Sequence, residues 1–263
     1  MKITFLGTGS AWPIPRIGCG CPQCAAGATD RRDVRSRSAA FLEAADGRAL
    51  LVDAGPDIYR QLHALGREAV RRIEAVVLTH VHPDHYLGLV DLSAALGGRK
   101  PVPFLVLEDN WPAVERTFFY LFDGSTRAPL ARARLALDET VEPVPGLRVT
   151  PFDARHFDQF QTCGLLVEGD GGRLAYAPDF KETPARERLR GVDLLVLDGS
   201  AVDKDIFGHL SIENGIQLAR ELGARRTLFT HIGHVKVAHA DLEKRVAGEG
   251  AFGVAHDGLG LTI

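Results

Sequence analysis

One short segment limits what this chain can fold into more than any other. The apolar run Ala75–Leu78 is followed, after a single threonine, by four potential metal ligands within six residues: His80, His82, Asp84 and His85. The run predicts a buried strand, and alternate residues of an extended segment point to the same side. His80 and His82 are therefore expected to face one point, and the following turn brings Asp84 and His85 to an adjacent one. Imidazoles and a carboxylate at this spacing predict two neighbouring metal ions at the carboxyl end of a strand.

Strand and helix patterns alternate along the rest of the chain. Short aliphatic or β-branched runs predict nine strands: Ile3–Leu6, Ala49–Asp53, Ala75–Thr79, Phe104–Leu107, Leu147–Pro151, Gly164–Glu168, Leu174–Ala177, Leu194–Asp198 and Thr227–Thr230. Apolar residues spaced for one helical face predict three helices, around Ile58, Leu62 and Leu65; Leu89, Leu92 and Leu96; and Ile212, Ile216, Ala219 and Leu222. Ser211 is placed to cap the third helix. Several strands follow one another as hairpins do, which favours an α/β fold of layered sheets covered by helices over one doubly wound sheet.

Composition and charge narrow the class of protein. The 263 residues are 45% hydrophobic and 25% charged, and no polar linker divides them, so a single globular domain over residues 1–263 is expected. The net charge of −3 provides no broad cationic surface for nucleic acid. The N-terminal apolar run Ile3–Leu6 is too short for a signal peptide or a membrane span. We therefore expect a cytoplasmic protein that binds neither membranes nor nucleic acid.

The segment Trp12–Ser38 shows no periodicity and is rich in proline and glycine, so it predicts a long loop that something must hold. Three of the four cysteines, Cys19, Cys21 and Cys24, lie here within six residues. In a chain without an export signal, metal binding is favoured over disulfides. The loop therefore predicts a zinc knuckle at about residues 12–38, with a cluster of reduced thiols as the alternative. Cys163 lies alone in a predicted strand and is expected to be a small core residue.

The pattern His-x-His-x-Asp-His after a hydrophobic strand resembles the signature of the metallo-β-lactamase superfamily of dinuclear metallohydrolases. The tripeptide that begins at Asp53, Asp-Ala-Gly after an earlier strand, is similar to the same family. The resemblance implies a four-layered αβ/βα sandwich, in which two mixed sheets are flanked by helices. It also implies three further ligands, each after a predicted strand: His156, Asp179 and His231. Ordinary loop histidines, or a helix cap in the case of Asp179, are the alternatives.

The superfamily pattern further implies two catalytic divalent ions, zinc or manganese, with a defined division of ligands. The implied ligands are His80, His82 and His156 for the first ion, Asp84, His85 and His231 for the second, and Asp179 as the bridge between them. No role is assigned to the remaining histidines outside the motifs, His63, His239 and His256.

The cysteine knuckle resembles, within the superfamily, the phosphodiesterases of the carbon–phosphorus lyase pathway. This resemblance implies that His234, three residues after His231, is the fourth ligand of a structural zinc. It also implies a role for His209, which lies just before the third predicted helix and matches the non-ligand histidine of that branch. A surface histidine is the alternative.

Charge and leaving-group chemistry favour a phosphodiesterase. Two divalent cations together with Asp84, Asp179 and a bridging hydroxide leave a site of about +1, which attracts an anionic phosphodiester. The metals would lower the pKa of bound water to roughly 7 and provide hydroxide as the nucleophile. The leaving alkoxide needs a proton donor, and His209 is the candidate. Asp84 and His209 are accordingly the expected catalytic residues.

The expected substrate is a small phosphodiester, and the resemblance suggests a cyclic ribose phosphate. A tRNA 3′-processing endonuclease shares the histidine pattern, but the knuckle and the lack of a basic, glycine-rich arm argue against it. Lactone, thioester or β-lactam hydrolysis would leave His209 unused, and a non-enzymatic binding member would be expected to lack ligands. Arg35 and Arg37 could contact a non-reacting phosphate, although a solvated charged face is the simpler interpretation. The sequence does not specify the natural substrate, the identity of the catalytic metals or whether the chain forms a homodimer.

Overall fold

Two mixed β-sheets lie face to face in the computed structural model, which describes residues 1–98, 100–122, 129–248 and 250–263. These residues form fourteen strands: β1 (Lys2–Gly7), β2 (Ala39–Glu43), β3 (Ala49–Val52), β4 (Ile73–Val77), β5 (Val102–Leu107), β6 (Leu130–Leu135), β7 (Val141–Val144), β8 (Leu147–Asp153), β9 (Cys163–Gly169), β10 (Gly172–Ala177), β11 (Leu194–Asp198), β12 (Thr227–Thr230), β13 (Phe252–Val254) and β14 (Gly260–Thr262). The first sheet has the order β14-β1-β2-β3-β4-β5-β6, and the second has the order β13-β12-β11-β10-β9-β8-β7. All nine predicted strands are confirmed, with ends that differ by at most two residues.

Side chains along the central strands alternate between a core shared by the sheets and an outer core beneath the helices. In β4, Ala75 and Val77 face the opposite sheet, while Val76 packs under the helices. In β11, Val196 faces inward and Leu197 faces outward. Because most of each strand is buried on both faces, Ala75–Leu78 and Leu194–Leu197 are continuous apolar runs.

Helices cover the outer faces of both sheets. The described residues form α1 (Pro22–Ala26), α2 (Ile58–Leu65), α3 (Arg67–Arg71), α4 (Pro83–Tyr86), α5 (Leu89–Leu96), α6 (Trp111–Thr117), α7 (Phe119–Phe122), α8 (Ile212–Leu222) and α9 (His239–Ala247). The three predicted helices are α2, α5 and α8. Ser211 caps α8 as predicted, because its hydroxyl accepts the backbone N–H of Asn214 at 3.3 Å. The layers are helices, sheet, sheet and helices, the α/β sandwich that the resemblance implied.

Five of the strands were not predicted: β2, β6, β7, β13 and β14. β6 is an edge strand whose Arg132 and Arg134 face solvent and pair with glutamates, so it lacks the apolar run used to find strands. β2 begins with two alanines, Ala39 and Ala40, which are depleted in strands. Both strands form because their neighbours supply the pairing.

The N-terminal loop is held by an arginine that the sequence analysis placed wrongly. Arg35 is 1% exposed, and its guanidinium donates to the Thr8 hydroxyl at 2.8 Å and the Ala255 carbonyl at 2.6 Å. It also lies 2.8 Å from Nδ1 of the buried His239. Burial lowers the pKa of Arg35 to about 10, so the side chain stays charged at neutral pH. Neither a substrate contact nor a solvated face describes Arg35, which fastens the loop to the last segment of the chain.

Two other residues singled out in the sequence, Arg37 and Cys163, differ in exposure, and the side chain of Arg37 is 21% exposed. Arg37 donates to Asp57 at 3.0 Å and to the Ala11 carbonyl at 3.1 Å, so its guanidinium has protein partners. Cys163 is buried in the core between the sheets, as predicted. Among the helices of the described residues, none combines the length and the apolar character that crossing a bilayer requires.

Candidate metal centre

The ends of several strands bring the predicted ligands together at one edge of the two sheets. Asp179 follows β10 and His231 follows β12, and both strands run parallel to β11 between them, so their carboxyl ends lie side by side. His80 follows β4 in the other sheet, and His156 follows β8. The short helix α4 carries the last two members of the histidine motif.

The first group of candidate ligands consists of three histidines and Asp179. His80 Nε2 lies 3.0 Å from His82 Nδ1, and His156 Nε2 lies 3.3 Å from the same atom. His156 Nε2 is 3.4 Å from Asp179 Oδ1. Donors at about 2.1 Å from a common ion are separated by about 3–3.5 Å. These atoms are therefore spaced as the ligands of one metal ion are.

The second group consists of Asp84, His85 and His231. Asp84 Oδ2 lies 3.3 Å from His85 Nε2 and 3.4 Å from His231 Nε2. Asp179 lies between the groups, since its Oδ1 is 3.3 Å from His231 Nε2 and its Oδ2 is 3.0 Å from His85 Nε2. One carboxylate is thus within ligand distance of donors from both groups.

The imidazoles nearest the first sheet are held from behind by Asp53, which is fully buried. His85 Nδ1–H donates to its Oδ2 at 2.7 Å, and the Thr79 backbone N–H donates to its Oδ1 at 2.8 Å. The Thr79 hydroxyl donates to Asp53 and accepts Nδ1–H of His80 at 3.1 Å. These bonds fix the tautomers that leave Nε2 free to bind a metal.

Two more imidazoles are oriented in the same way from the second sheet. His156 Nδ1–H donates to the Gly208 carbonyl at 2.6 Å. His231 Nδ1 lies 2.9 Å from the Ser200 hydroxyl. Such outer contacts are typical of metal-binding histidines and set the direction of the ligand nitrogen.

The protonation of the cluster also suits cations. Burial, together with repulsion from the charged form of His156, lowers the pKa of His82 to about 4. Burial lowers the pKa of His80 well below its usual range. Both rings are therefore neutral near pH 7 and keep a lone pair for a metal. Burial also disfavours a charged His85, but three surrounding carboxylates, led by Asp179, raise its pKa well above its usual range. That concentration of negative charge is what a divalent cation would neutralise.

Two buried atoms at the centre have no hydrogen-bond partner among the described residues: His85 Nε2 and Asp179 Oδ2. They lie 3.0 Å apart without the alignment that a hydrogen bond needs. Buried polar atoms are rarely left unpaired, so the pair is accounted for by a group that binds both. The residues present therefore fit the divalent metal ions that the resemblance implied.

His209 lies beside the cluster on the turn before α8. The centre of its ring is 4.5 Å from that of His156 and 5.6 Å from that of His231. Its Nδ1–H donates to Asp198 at 2.6 Å, so Nε2 is the nitrogen left for a substrate. Burial disfavours the charged ring, but the Asp198 carboxylate raises the pKa of His209 above its usual value.

Asp198 is a functional candidate that the sequence analysis missed, because it appeared there only as the last residue of a predicted strand. It is buried at the end of β11, between the strands that lead to Asp179 and His231. Since neighbouring parallel strands present their carboxyl ends together, a third strand-end polar residue at this edge was the signal that could have revealed it.

The thiols of the knuckle all approach one imidazole nitrogen, on His234. The distances from His234 Nε2 are 3.4, 3.2 and 3.5 Å to the Sγ atoms of Cys19, Cys21 and Cys24. Such spacing suits tetrahedral coordination by three thiolates and one imidazole. The buried Gln23, which the sequence analysis did not single out, donates to the Gly233 carbonyl and accepts the Lys236 N–H, both at 3.0 Å. The loop is thus fastened on both sides of His234.

Fold and site together define the class of protein. Residues 48–232 match the family described as the beta-lactamase superfamily domain. The chain belongs to the metallo-β-lactamase superfamily, a class of metal-dependent hydrolases.

Particular relatives extend over the whole chain. Coenzyme PQQ synthesis protein B of Methylobacterium sp. (strain 4-46) is 32% identical over an alignment of 306 positions that covers 100% of both chains. A diphosphatase from the PhnP family is 32% identical, with a TM-score of 0.84 over 99% of this chain and 96% of the other. Zn²⁺-bound PqqB from Methylobacterium extorquens is 27% identical, with a TM-score of 0.85 over 100% of both chains. The short form of human tRNase Z, at 19% identity and a TM-score of 0.70, shares the fold.

Proposed function

We propose that the protein is a metal-dependent phosphodiesterase of a small phosphate ester, in which His209 gives a proton to the leaving group. The observation that carries this proposal is His209, held at 2.6 Å by the buried Asp198 next to the ligand cluster. The cluster alone would serve many hydrolases, whereas a positioned proton donor is needed where an alkoxide leaves. The 32% identity with a PhnP-family diphosphatase supports a phosphate substrate.

The proposal assigns every ligand of the cluster. The assigned ligands are His80, His82 and His156 for one ion, Asp84, His85 and His231 for a second, and Asp179 as the bridge. Zinc or manganese ions bound there would supply a hydroxide nucleophile near neutral pH and neutralise charge on the phosphoryl group. A separate structural zinc is assigned to Cys19, Cys21, Cys24 and His234.

The side chains around this centre hold and move one proton. In the charged form of His209, Nδ1–H stays bonded to Asp198 while Nε2–H points to the leaving oxygen and protonates it as the ester bond breaks. Asp198 fixes the ring and stabilises its charged form, as a buried carboxylate does for a catalytic histidine. The ring of Phe160 packs against that of His82, with centroids 4.5 Å apart.

Hydrolysis of bis(p-nitrophenyl) phosphate by the metal-loaded protein tests the function. We expect turnover that is abolished in His80→Ala and retained in His63→Ala, since His63 is an exposed histidine on α2. Metal content is measured for each variant by elemental analysis. Absence of turnover in protein shown to contain metal would reject the phosphodiesterase.

The whole-chain similarity to coenzyme PQQ synthesis protein B favours a second candidate, a role in the synthesis of that coenzyme. The same assay separates the two functions. A metal-loaded protein that hydrolyses neither aryl nor alkyl phosphodiesters would favour this second role.

A further inference from the structure

An aromatic surface lies directly beside His209, and neither the ligand cluster nor the proton donor accounts for it. Phe207 is 79% exposed, and its ring packs against that of Phe157 with centroids 4.9 Å apart. Phe157 continues to the centre, because its ring lies 4.3 Å from that of His156. A phenylalanine left in water forgoes the stabilisation that burial brings. Adjoining aromatic rings that reach from solvent to the ligand cluster therefore point to a bound group that covers them.

The turn that displays Phe207 also sets the geometry of the proton donor. Ile206 and His209 exchange two backbone hydrogen bonds, at 3.2 and 3.0 Å, so Phe207 and Gly208 are the central residues of a tight turn. Gly208 has a φ of +77°, which suits the second central position of a type II turn. Its carbonyl orients His156. The four consecutive residues 206–209 therefore hold three groups in fixed relative positions: the ring of Phe207, the imidazole of His209 and the Gly208 carbonyl that orients His156.

The charged residues two positions before each ring, Arg155 and Asp205, already have partners. Lys181 contacts Asp205 at 2.7 Å. Arg155 contacts Asp153 at 3.3 Å and Glu182 at 3.1 Å. A phosphate that bound to Arg155 or Lys181 would have to displace these carboxylates from their cations. Aromatic faces instead stack with planar rings, and nucleobases stack on them without regard to sequence.

We infer that Phe157 and Phe207 form a subsite for a planar ring, such as a nucleobase, carried by the leaving group of the substrate. The inference rests on the proposed phosphodiesterase function, because His209 defines the side on which the leaving group departs. The substrate class is a nucleoside phosphodiester from which the nucleoside is released. The oxygen of water forms the new bond to phosphorus, and the P–O bond to the nucleoside breaks with its electron pair on the nucleoside oxygen. That oxygen takes the proton of His209, and the proton released by water passes to solvent, from which His209 is protonated again.

Adenosine 5′-(methyl phosphate) tests the inference, since either of its ester bonds can break. We expect adenosine and methyl phosphate as the products of the metal-loaded enzyme, separated by liquid chromatography. Release of AMP and methanol would place the base on the opposite side and overturn the inference. Because stacking on one aromatic ring changes binding by a factor of about 5 or more, Phe207→Ala is expected to raise KM at least that much with little change in kcat.

Matched variants separate stacking from other effects. Phe207→Tyr keeps the planar ring and is expected to keep the KM of the wild type. Phe119→Ala removes a phenylalanine of α7 that is 64% exposed, and it is expected to leave KM unchanged. An unchanged KM in Phe207→Ala overturns the inference. This holds also if the variant sediments differently, which would show that Phe207 instead contacts another copy of the chain.

A binding measurement tests the ring subsite independently of the proposed function. Calorimetry with adenosine, which carries no phosphate, is expected to show binding to the wild type that is weakened at least 5-fold in Phe207→Ala, whereas ribose shows none. If bis(p-nitrophenyl) phosphate is not hydrolysed but adenosine binding depends on Phe207, the ring subsite stands and the phosphodiesterase fails. If the diester is hydrolysed and adenosine binding is independent of Phe207, the subsite fails alone.

Discussion

Replacing Asp198 by asparagine tests how His209 is positioned. The carboxylate is buried, and its Oδ2 accepts the Nδ1–H of His209 at 2.6 Å, where the histidine side chain is 15% exposed. A hydrogen bond to a charged group contributes about 1.5–3 kcal/mol. Since each 1.36 kcal/mol is a factor of ten in rate, Asp198→Asn is expected to lower kcat for an alkyl ester by about 10–150-fold. The loss with a p-nitrophenyl ester should be much smaller, because that leaving group needs little protonation.

Asp198→Asn is also expected to shift the pH dependence of kcat in a defined direction. Asp198 raises the pKa of His209, so the charged ring persists to higher pH in the wild type than it would alone. Without the carboxylate the ring loses its proton at lower pH. The basic limb of the kcat profile for adenosine 5′-(methyl phosphate) should therefore move to lower pH in Asp198→Asn. An unmoved limb would refute a role of Asp198 through His209.

A double-variant cycle supplies the control. His209→Ala is expected to retain the metals and to lower kcat for the alkyl ester by about 10²–10⁴-fold. Asp198→Asn should add little to that loss, since its effect acts through the ring. Losses that multiply would refute the reasoning. Asp198 also accepts the backbone N–H groups of Phe180 at 3.1 Å and Ser200 at 2.8 Å, so metal content and thermal midpoint are compared in every variant.

Three further predictions concern the supports of the site. Cys21→Ser is expected to remove one zinc ion per chain and lower the thermal midpoint, and an unchanged metal content on elemental analysis would contradict the knuckle. Asp53→Ala removes the acceptor behind a ligand imidazole and should weaken metal binding about 10–100-fold in competition with a chelating dye; unaltered affinity would argue against this support. Gly208→Ala should be less stable to urea than Gly223→Ala. Both glycines have a positive φ, but only the Cβ at position 208 would lie 2.8 Å from the His156 carbonyl oxygen. Equal losses of unfolding free energy in the two variants would show that this contact relaxes freely.

The ligand positions could be predicted because their signals are local. The motif from His80 to His85 lies within six residues. Asp179 and His231 follow strands whose last four residues are all buried, so an apolar run marks each strand and a polar residue follows it. His156 follows β8, which is buried along most of its length. The structure brings all of them to one edge of the sheets.

Arg35 could not be predicted, because its environment is made by residues far away in the chain. Its carbonyl acceptor at Ala255 and its imidazole neighbour at His239 lie 220 and 204 positions further on. Arginine is rarely buried without such partners, and the local pattern around Arg35 is that of an exposed loop. The edge strand β6 was not predicted for a related reason. Its arginines alternate as the residues of an exposed face do, and the hydrogen bonds that make it a strand come from β5.

The contact between Asp198 and His209 also bears on which of the whole-chain relatives is the better guide to function. Metal ligands of this kind serve hydrolysis of many bonds, so they do not separate the candidates. A buried carboxylate is costly unless it is fully hydrogen-bonded, and Asp198 meets that cost with two backbone N–H groups and the ring of His209. A carboxylate with only a structural role would not need an imidazole that lies against the ligand cluster. Proton donation to a departing alkoxide gives that imidazole a use, which favours the diphosphatase as the guide to chemistry.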